Sequence, residues 1–254
     1  MIDIHSHILW GLDDGAESLA QSVEMLEVAA AAGTTDIVAT PHASEDFAFP
    51  NDLVASRIAE LQPLAPPSLR LHTGRDVHLS FANIEEVLRN PEPFTINGGR
   101  YLLVEFSNLA IPPHISRVLT RMVDCGIIPI VTHPERNHLL RSDTTRLHHW
   151  LRQGCLIQVT AQSLLGGFGK EAQASAWSLV RSEMAQFVAS DAHDPVHRPP
   201  SLDRAFDAIV KECDHALARL LLEDNPRSVL ANEPVPYSEP LVEPPRRRWY
   251  QFWR

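Results

Sequence analysis

Cysteine is scarce in this chain. There are three in 254 residues, Cys125, Cys155 and Cys213, widely spaced and with no C-x-x-C. An odd, scattered set argues against a disulfide framework, and a reducing cytosol is the expected setting. Long apolar runs are also missing: none approaches the roughly 18 residues of a membrane span. The start, Met1-Ile2-Asp3, runs straight into a strand-like segment without a basic region followed by an apolar one, so no standard secretion signal is expected. Positive charge is outnumbered, with 22 Lys and Arg against 32 Asp and Glu, a net −10. An acidic body disfavours a nucleic-acid partner. An anionic substrate would need local positive charge, from metal ions or placed arginines. No internal repeat is visible. What the chain does have is 44% hydrophobic residues, ordinary for a globular core, and 13 histidines.

Short apolar runs alternate with amphipathic ones. The runs are IDIHSHI (2–8), TDIVATPH (35–42), LRLHTGRDVH (69–78), YLLVEFS (101–107), IIPIVTHPE (127–135), CLIQVTA (155–161) and MAQFVASDAH (184–193). Each is strand-length, and most are rich in Val and Ile. Residues 18–32, 52–62, 112–125, 143–153, 171–182 and 201–222 read as helices. The first opens on an S-x-x-Q capping box at Ser18 and Gln21 and ends at Gly33. This alternation predicts parallel strands joined by helical crossovers. Seven strands fit a barrel better than an open sheet, although spacing alone does not decide. The stretch EPVPYSEPLVEPPRRRWYQFWR (233–254) differs, with five prolines before a basic-aromatic end. Proline at that density continues neither a helix nor a central strand, so 233–254 is predicted to be a tail outside a 1–232 barrel.

Ligand-type side chains stand at the ends of those runs. His5 and His7 end the first, His42 the second, Asp76 with His78 the third, Glu105 the fourth and His133 the fifth. Asp191 and His193 end the seventh. In a parallel α/β barrel these strand ends converge on the face that carries active sites. The i, i+2 spacing of His5/His7 and of Asp191/His193 puts each pair on one side of its strand. A lone histidine there is usually structural, and a lone Asp after a strand is usually a helix cap. Two such pairs at opposite ends of the chain, in the same register, point to metal. Imidazole and carboxylate without thiolate suit Zn, Mn, Fe and similar divalent ions. The set is too large for one ion, so two or three are implied, with a bridging carboxylate. Close metal pairs serve hydrolysis: one ion generates hydroxide near neutral pH, and both stabilise in-line displacement at phosphorus.

These residues, in this order, resemble the PHP superfamily of metal-dependent phosphoesterases. They most resemble its capsule-type branch, the CpsB/CapC tyrosine-protein phosphatases of bacterial exopolysaccharide clusters. The resemblance is carried by DIHSHILWGLDDGA (3–16), ATPH (39–42), TGRDVH (73–78), LVEF (103–106), THPER (132–136), AQSL (161–164) and SDAH (190–193), and covers roughly 1–232. It implies a single-domain, distorted (β/α)7 TIM-like barrel, the PHP fold. It implies His5, His7 and Asp191 as ligands of a first ion, Glu105 and His133 of a second, and Asp14, His42 and His193 of a third. Asp76 stands where the family usually has a bridging Glu, one methylene longer, so a tighter bridge or lower metal affinity is expected. Manganese is the ion implied first, with iron, zinc or magnesium as alternatives. Arg136 in HPER and Arg198 after SDAH resemble the family's phosphate-binding arginines, and a guanidinium fork suits phosphate. Trp10 stands where the family commonly has Pro. Its indole is expected either to stack on an aromatic substrate ring or to pack on the barrel rim.

The activity implied is hydrolysis of phosphotyrosine on a bacterial tyrosine kinase that controls capsule or exopolysaccharide synthesis, in the cytoplasm or at the inner face of the membrane. The leaving phenolate belongs to an acid of pKa about 10. Asp13, His78 and His138 are candidate proton donors to it. No cysteine lies in the C-x5-R arrangement of thiol phosphatases, and Cys155 reads as core. The alternatives are a histidinol-phosphatase-like enzyme on a small phosphate ester, an inactive regulatory homologue, or an amidohydrolase, which needs no arginine pair. RRRWYQFWR in the tail has the composition to contact an anionic membrane surface, a partner or its own barrel, or to stay disordered. A homo-oligomer stays open.

Overall fold

The computed structural model describes residues 1–47 and 49–235. The predicted tail beyond 235, including the basic-aromatic end at 246–254, lies outside the described residues.

The seven predicted runs form nine short strands: β1 (Ile2–Ser6), β2 (Asp36–Ala39), β3 (His42–Ala43), β4 (Arg70–Thr73), β5 (Asp76–His78), β6 (Tyr101–Glu105), β7 (Ile128–Thr132), β8 (Leu156–Thr160) and β9 (Phe187–Ala189). Every pairing between them is parallel. The second run breaks at Thr40–Pro41, where proline removes a ladder donor. The third breaks at Gly74–Arg75. A Cβ on Gly74 would meet Val38 Cγ1 at 3.0 Å and Thr40 Cγ2 at 3.1 Å, so packed side chains crowd this position. These breaks divide the strands into the orders β1-β2-β4 and β3-β5-β6-β7-β8-β9. The ring closes where the last run meets the first. Ser6 bridges Ala192, His7 N donates to Ala192 O at 2.8 Å, and Asp191 N donates to His5 O at 2.8 Å. The result is a distorted seven-segment barrel, as the alternation and the resemblance predict.

Side-chain parity explains where the core stops and the site begins. Leu103, Ile130 and Leu156 are level in register and buried together with Ile4 and Phe187 in the barrel interior. Each such side chain stabilises the fold by about 1.5–3 kcal/mol. Two residues further along the same faces come Glu105, Thr132 and Gln158, so the apolar interior ends in a polar layer at the C-terminal strand ends. Asp76 is in register with Leu103, one layer deeper than Glu105.

Most predicted helices are present, the first at Leu19–Ala31. Ser18 Oγ accepts from Gln21 N at 3.3 Å, while Gln21 Oε1 accepts from Glu17 N at 2.7 Å, one residue before the cap. The predicted helix 201–222 is interrupted. Asp203–Glu212 stops at Cys213, whose φ of −127° and ψ of −96° leave the helical region. A new turn then starts at Asp214, which accepts from Leu217 N at 2.7 Å. The helix Phe81–Arg89 was not expected. Its short apolar stripe is diluted by Asn83, Glu85 and Glu86, and Ser80 caps it by accepting from Asn83 N at 3.2 Å.

At the opposite end of the barrel, Tyr101 OH donates to Glu233 O and accepts from Val235 N at 3.1 Å. Arg100 N donates to Asn232 Oδ1 at 2.9 Å. Residues 232–235 are thus tied beneath β6. Cys155 is fully buried, and burial pushes its thiol up to about 12, which suits core rather than nucleophile. Among the described residues, no helix is long and apolar enough to cross a membrane.

Candidate metal centre

All nine ligand-type residues singled out in the sequence meet at the C-terminal strand ends. They form four overlapping clusters whose donor atoms lie within 4.8 Å of one another. The clusters are His7, Asp14, His42 and His193; His5, His7 and Asp76; His5, His133 and Asp191; and His42, Asp76 and Glu105. Asp76 belongs to two of them. The other predicted neighbours are also close. Asp191 Oδ1 lies 3.6 Å from His5 Nε2 and 3.5 Å from His7 Nε2, and Glu105 Oε1 lies 3.7 Å from His133 Nε2. His42 and His193 point their Nε2 atoms at Asp14 Oδ1, at 3.5 and 3.3 Å.

The donor set fits divalent cations on structural grounds. His5 Nε2 and His7 Nε2 face each other at 3.2 Å. Asp76 Oδ2 is buried without a hydrogen-bond donor, 3.5 Å from His5 Nε2 and 3.4 Å from His42 Nδ1. A bound cation removes the cost of such an orphaned oxygen. The electrostatics agree. Burial and then the Asp76 charge push Glu105 up to about 7. Burial and the Arg136 charge bring His133 down to about 3, and burial and His7 bring His193 down to about 4. Burial works against ionised Asp191, yet His5, His7, His133 and Arg136 outweigh it and hold its carboxyl well below the usual range. Imidazole binds metal in its neutral form, which His133 and His193 already hold; His5 and His7 are pushed up against the pull of burial, His5 by Asp76 and Asp191 and His7 by Asp13 and Asp191, so each would give up a proton to a bound ion.

Local backbone devices aim these groups. His133 (φ +35°) and Asp191 (φ +52°) adopt the left-handed region just past their strands; at His133 this brings to the site a side chain that strand parity, with Ile130 and Thr132 inward, would send away, whereas Asp191 keeps the inward parity of Phe187 and Ala189. Gly15 is required by contact: a Cβ there would lie 2.0 Å from His7 O. The DDGA turn can therefore fold against His7 only with glycine at its third position.

Several supporting residues come to light only in the structure. Asp13 is not placed as a proton donor. Burial opposes its charge, but His7 lowers its carboxyl to about 2, and its Oδ2 accepts from His7 Nδ1 at 2.7 Å and from His42 N at 2.9 Å. It orients His7 in the manner of outer-sphere carboxylates on metal-ligating histidines. Gln158 Oε1 does the same for His5 Nδ1 at 3.0 Å. A polar residue at an inward strand position was the available signal. Arg75, buried in TGRDVH, donates to Pro41 O at 3.2 Å and His42 O at 3.1 Å. Buried Glu135 accepts from Thr160 N at 3.0 Å and Ser163 Oγ at 2.7 Å, joining THPER to AQSL. His138 is exposed at the start of a short helix, whereas His78 lines a cleft beside His42 and Glu105.

Both predicted arginines reach the centre. Arg136 and Arg198 donate to Asp191 Oδ2, the latter at 2.7 Å. Phe168 lies beneath them, its ring centroid 4.2 Å from the Arg136 guanidinium carbon and 5.7 Å from that of Arg198. Trp10 is half-buried at the rim. It packs against the cluster of Ile8, Leu9 and Leu12, with the Arg57 guanidinium 4.2 Å from its ring centroid.

Known proteins resemble this chain along its whole barrel. The family of capsular polysaccharide synthesis proteins CpsB/CapC matches residues 1–231. The tyrosine-protein phosphatase YwqE of Bacillus subtilis (strain 168) is 33% identical over 100% of both chains. The tyrosine-protein phosphatase CpsB of Streptococcus pneumoniae is 28% identical over 92% of this chain and 99% of its own. A solved structure from a study of these two proteins, which calls them unique metal-dependent tyrosine phosphatases, superposes with a TM-score of 0.87 at 31% identity, over 94% of this chain and 98% of the other. With the match running from the first residue to the end of the barrel, this chain belongs to the CpsB/CapC family.

Proposed function

We propose that the chain is a metal-dependent protein-tyrosine phosphatase. The observation that carries this reading is the joining of two arginines to a nine-residue imidazole and carboxylate centre through one shared carboxylate, Asp191. His5, His7 and Asp191 would hold a first ion, Glu105 and His133 a second, and Asp14, His42 and His193 a third, with Asp76 bridging. Manganese is the proposed ion, as the family resemblance implies; the imidazole and carboxylate donors suit iron and zinc as well. When bound, such ions supply Lewis acidity toward phosphoryl oxygens and lower the pKa of water.

The chain's own groups do the rest. Arg136 and Arg198 offer forked donors to the equatorial phosphoryl oxygens as charge builds there. Asp191 Oδ2 keeps both forks turned inward in the absence of substrate. Asp13 and Gln158 fix the two leading histidines, so their free nitrogens need no rearrangement. His78, open to the cleft beside Glu105, is the proposed proton donor to the leaving phenolate oxygen. The proposed substrate is a phosphorylated tail of a bacterial tyrosine kinase in capsule or exopolysaccharide synthesis, met in the cytoplasm or at the inner membrane surface.

The test is phosphate release from a phosphotyrosine peptide with Mn, Fe, Zn, Mg or chelator, beside a phosphoserine peptide, a small phosphomonoester and an Asp191→Ala/His193→Ala variant. Metal-dependent turnover that prefers phosphotyrosine and is lost in the variant supports the proposal. Activity on the small ester alone keeps the site and replaces the substrate. Bound metal with no turnover on any of them overturns the enzyme reading in favour of a regulatory one.

A further inference from the structure

The rim of the centre carries several aromatic rings, and most already have a cation on one face. Phe168 carries Arg136, Trp10 carries Arg57, and Phe49 carries Arg75, each at 4.2 Å from the ring centroid. Phe47 differs. One face stacks on the His42 ring, with centroids 5.7 Å apart and planes inclined by 13°. Among the described residues no guanidinium covers it. The half-buried Phe47 lines a cleft of about 350 Å³, together with Ser44, His78, Ser80 and Glu105, that opens directly onto the candidate centre. The segment that carries Phe47 is clamped at both ends by Arg75, which donates to the carbonyls of Pro41 and His42 and to Asn51 Oδ1 at 3.1 Å. A platform held in this way loses little freedom when a ligand lands on it.

We propose that Phe47 is the aryl-recognition residue of the site: its face in the cleft receives the phenyl ring of phosphotyrosine, while Arg136 and Arg198 hold the phosphoryl group. This rests on the phosphotyrosine reading above. A flat ring gains from offset stacking what an alkyl chain does not, so an aryl ester is favoured over an alkyl ester at the same phosphate site. The ring contact does not move during the displacement, so it acts on binding in ground state and transition state alike, and its loss falls on KM.

The experiment compares the metal-loaded wild type with Phe47→Leu and Phe47→Tyr. Three quantities are measured: kcat and KM on a phosphotyrosine peptide, KM on a phosphoserine peptide or small alkyl phosphate, and inhibition by inorganic phosphate. Binding of a non-hydrolysable phosphonate analogue of the phosphotyrosine peptide, by calorimetry, gives a readout apart from turnover. For Phe47→Leu the expected result is weaker peptide binding and higher KM by about two- to tenfold, the scale of an aromatic pair. Inhibition by inorganic phosphate stays within twofold, and Phe47→Tyr retains wild-type binding. Two results overturn the proposal: unchanged peptide affinity in Phe47→Leu, or phosphate inhibition that weakens in parallel, which would make Phe47 a support for His42 alone. The wild-type substrate panel tests the phosphotyrosine reading separately. An enzyme that ignores the aryl ester refutes that reading whatever the variants do.

Discussion

Replacing Gly15 with alanine is expected to dismantle the first-strand half of the site. The new Cβ would meet His7 O at 2.0 Å, His7 Cβ at 2.5 Å and His7 C at 2.9 Å. Real carbon atoms essentially never come this close to backbone, so one segment has to move by more than about 1 Å. Three hydrogen bonds to the Asp13 carboxylate depend on that turn: His7 Nδ1 at 2.7 Å, His42 N at 2.9 Å and Gly15 N at 3.0 Å. A bond to a charged group contributes about 1.5–3 kcal/mol, and overpacking costs about 1–3 kcal/mol. Partial relaxation leaves an expected loss of about 2–5 kcal/mol, or a fall in Tm of roughly 5–15 °C at about 2–4 °C per kcal/mol for this size class. The matched control is Gly11→Ala. Gly11 has φ +66° and nothing within 4 Å of the added Cβ, so only the left-handed backbone cost of about 1–2 kcal/mol applies. Thermal unfolding and metal content by elemental analysis are measured for both. Gly15→Ala is expected to lose bound metal as well as stability, while Gly11→Ala keeps its metal. If Gly15→Ala unfolds within 2 °C of wild type with full metal content, the packing of DDGA on His7 is wrong.

Metal binding should release protons at neutral pH. Glu105 titrates near 7 in the ion-free protein because burial and then Asp76 oppose its charge; a divalent ion reverses that balance, so adding Mn at pH 7 to chelator-treated protein is expected to acidify an indicator solution, and Glu105→Gln to reduce the release. Asp36 should sharpen the acid limb of stability. Burial opposes its charge, but the bond to His72 at 3.0 Å, the Thr35 hydroxyl and Arg70 hold its carboxyl below the unfolded value. Its contribution is therefore complete above about pH 4 and is lost as pH falls through the folded value, and Asp36→Asn is expected to flatten that limb of a Tm–pH curve. Tyr101→Phe removes the hydroxyl that joins Glu233 and Val235 to the barrel floor. The expected cost is about 1–2 kcal/mol, read by denaturant unfolding, and faster proteolysis after residue 231 would accompany it.

The sequence by itself determined the elements and the donor inventory. Alternation of apolar runs with amphipathic ones is a local property of each segment, and it suffices for seven parallel segments and their crossovers. The i, i+2 spacing made the pairs His5 with His7 and Asp191 with His193 legible, although β1 ends at Ser6 and β9 at Ala189, so only His5 of the four lies on a strand. The resemblance located Arg136 and Arg198 through the motifs that precede them. Tertiary structure decided what sequence neighbours do not fix. The break at Gly74 and the left-handed turns at His133 and Asp191 are backbone conformations that the apolar pattern does not announce. Asp13 reads in the sequence as a candidate proton donor, and the turn at Gly15 sets it against His7 instead. The partner of Trp10, the Arg57 guanidinium over one face of its ring, lies 47 residues away in the chain. Phe47 carried no periodic signal at all. Its place beside His42 and in the cleft depends on the loop that Arg75 clamps, and contacts between residues so far apart in the chain exist only once the barrel has closed.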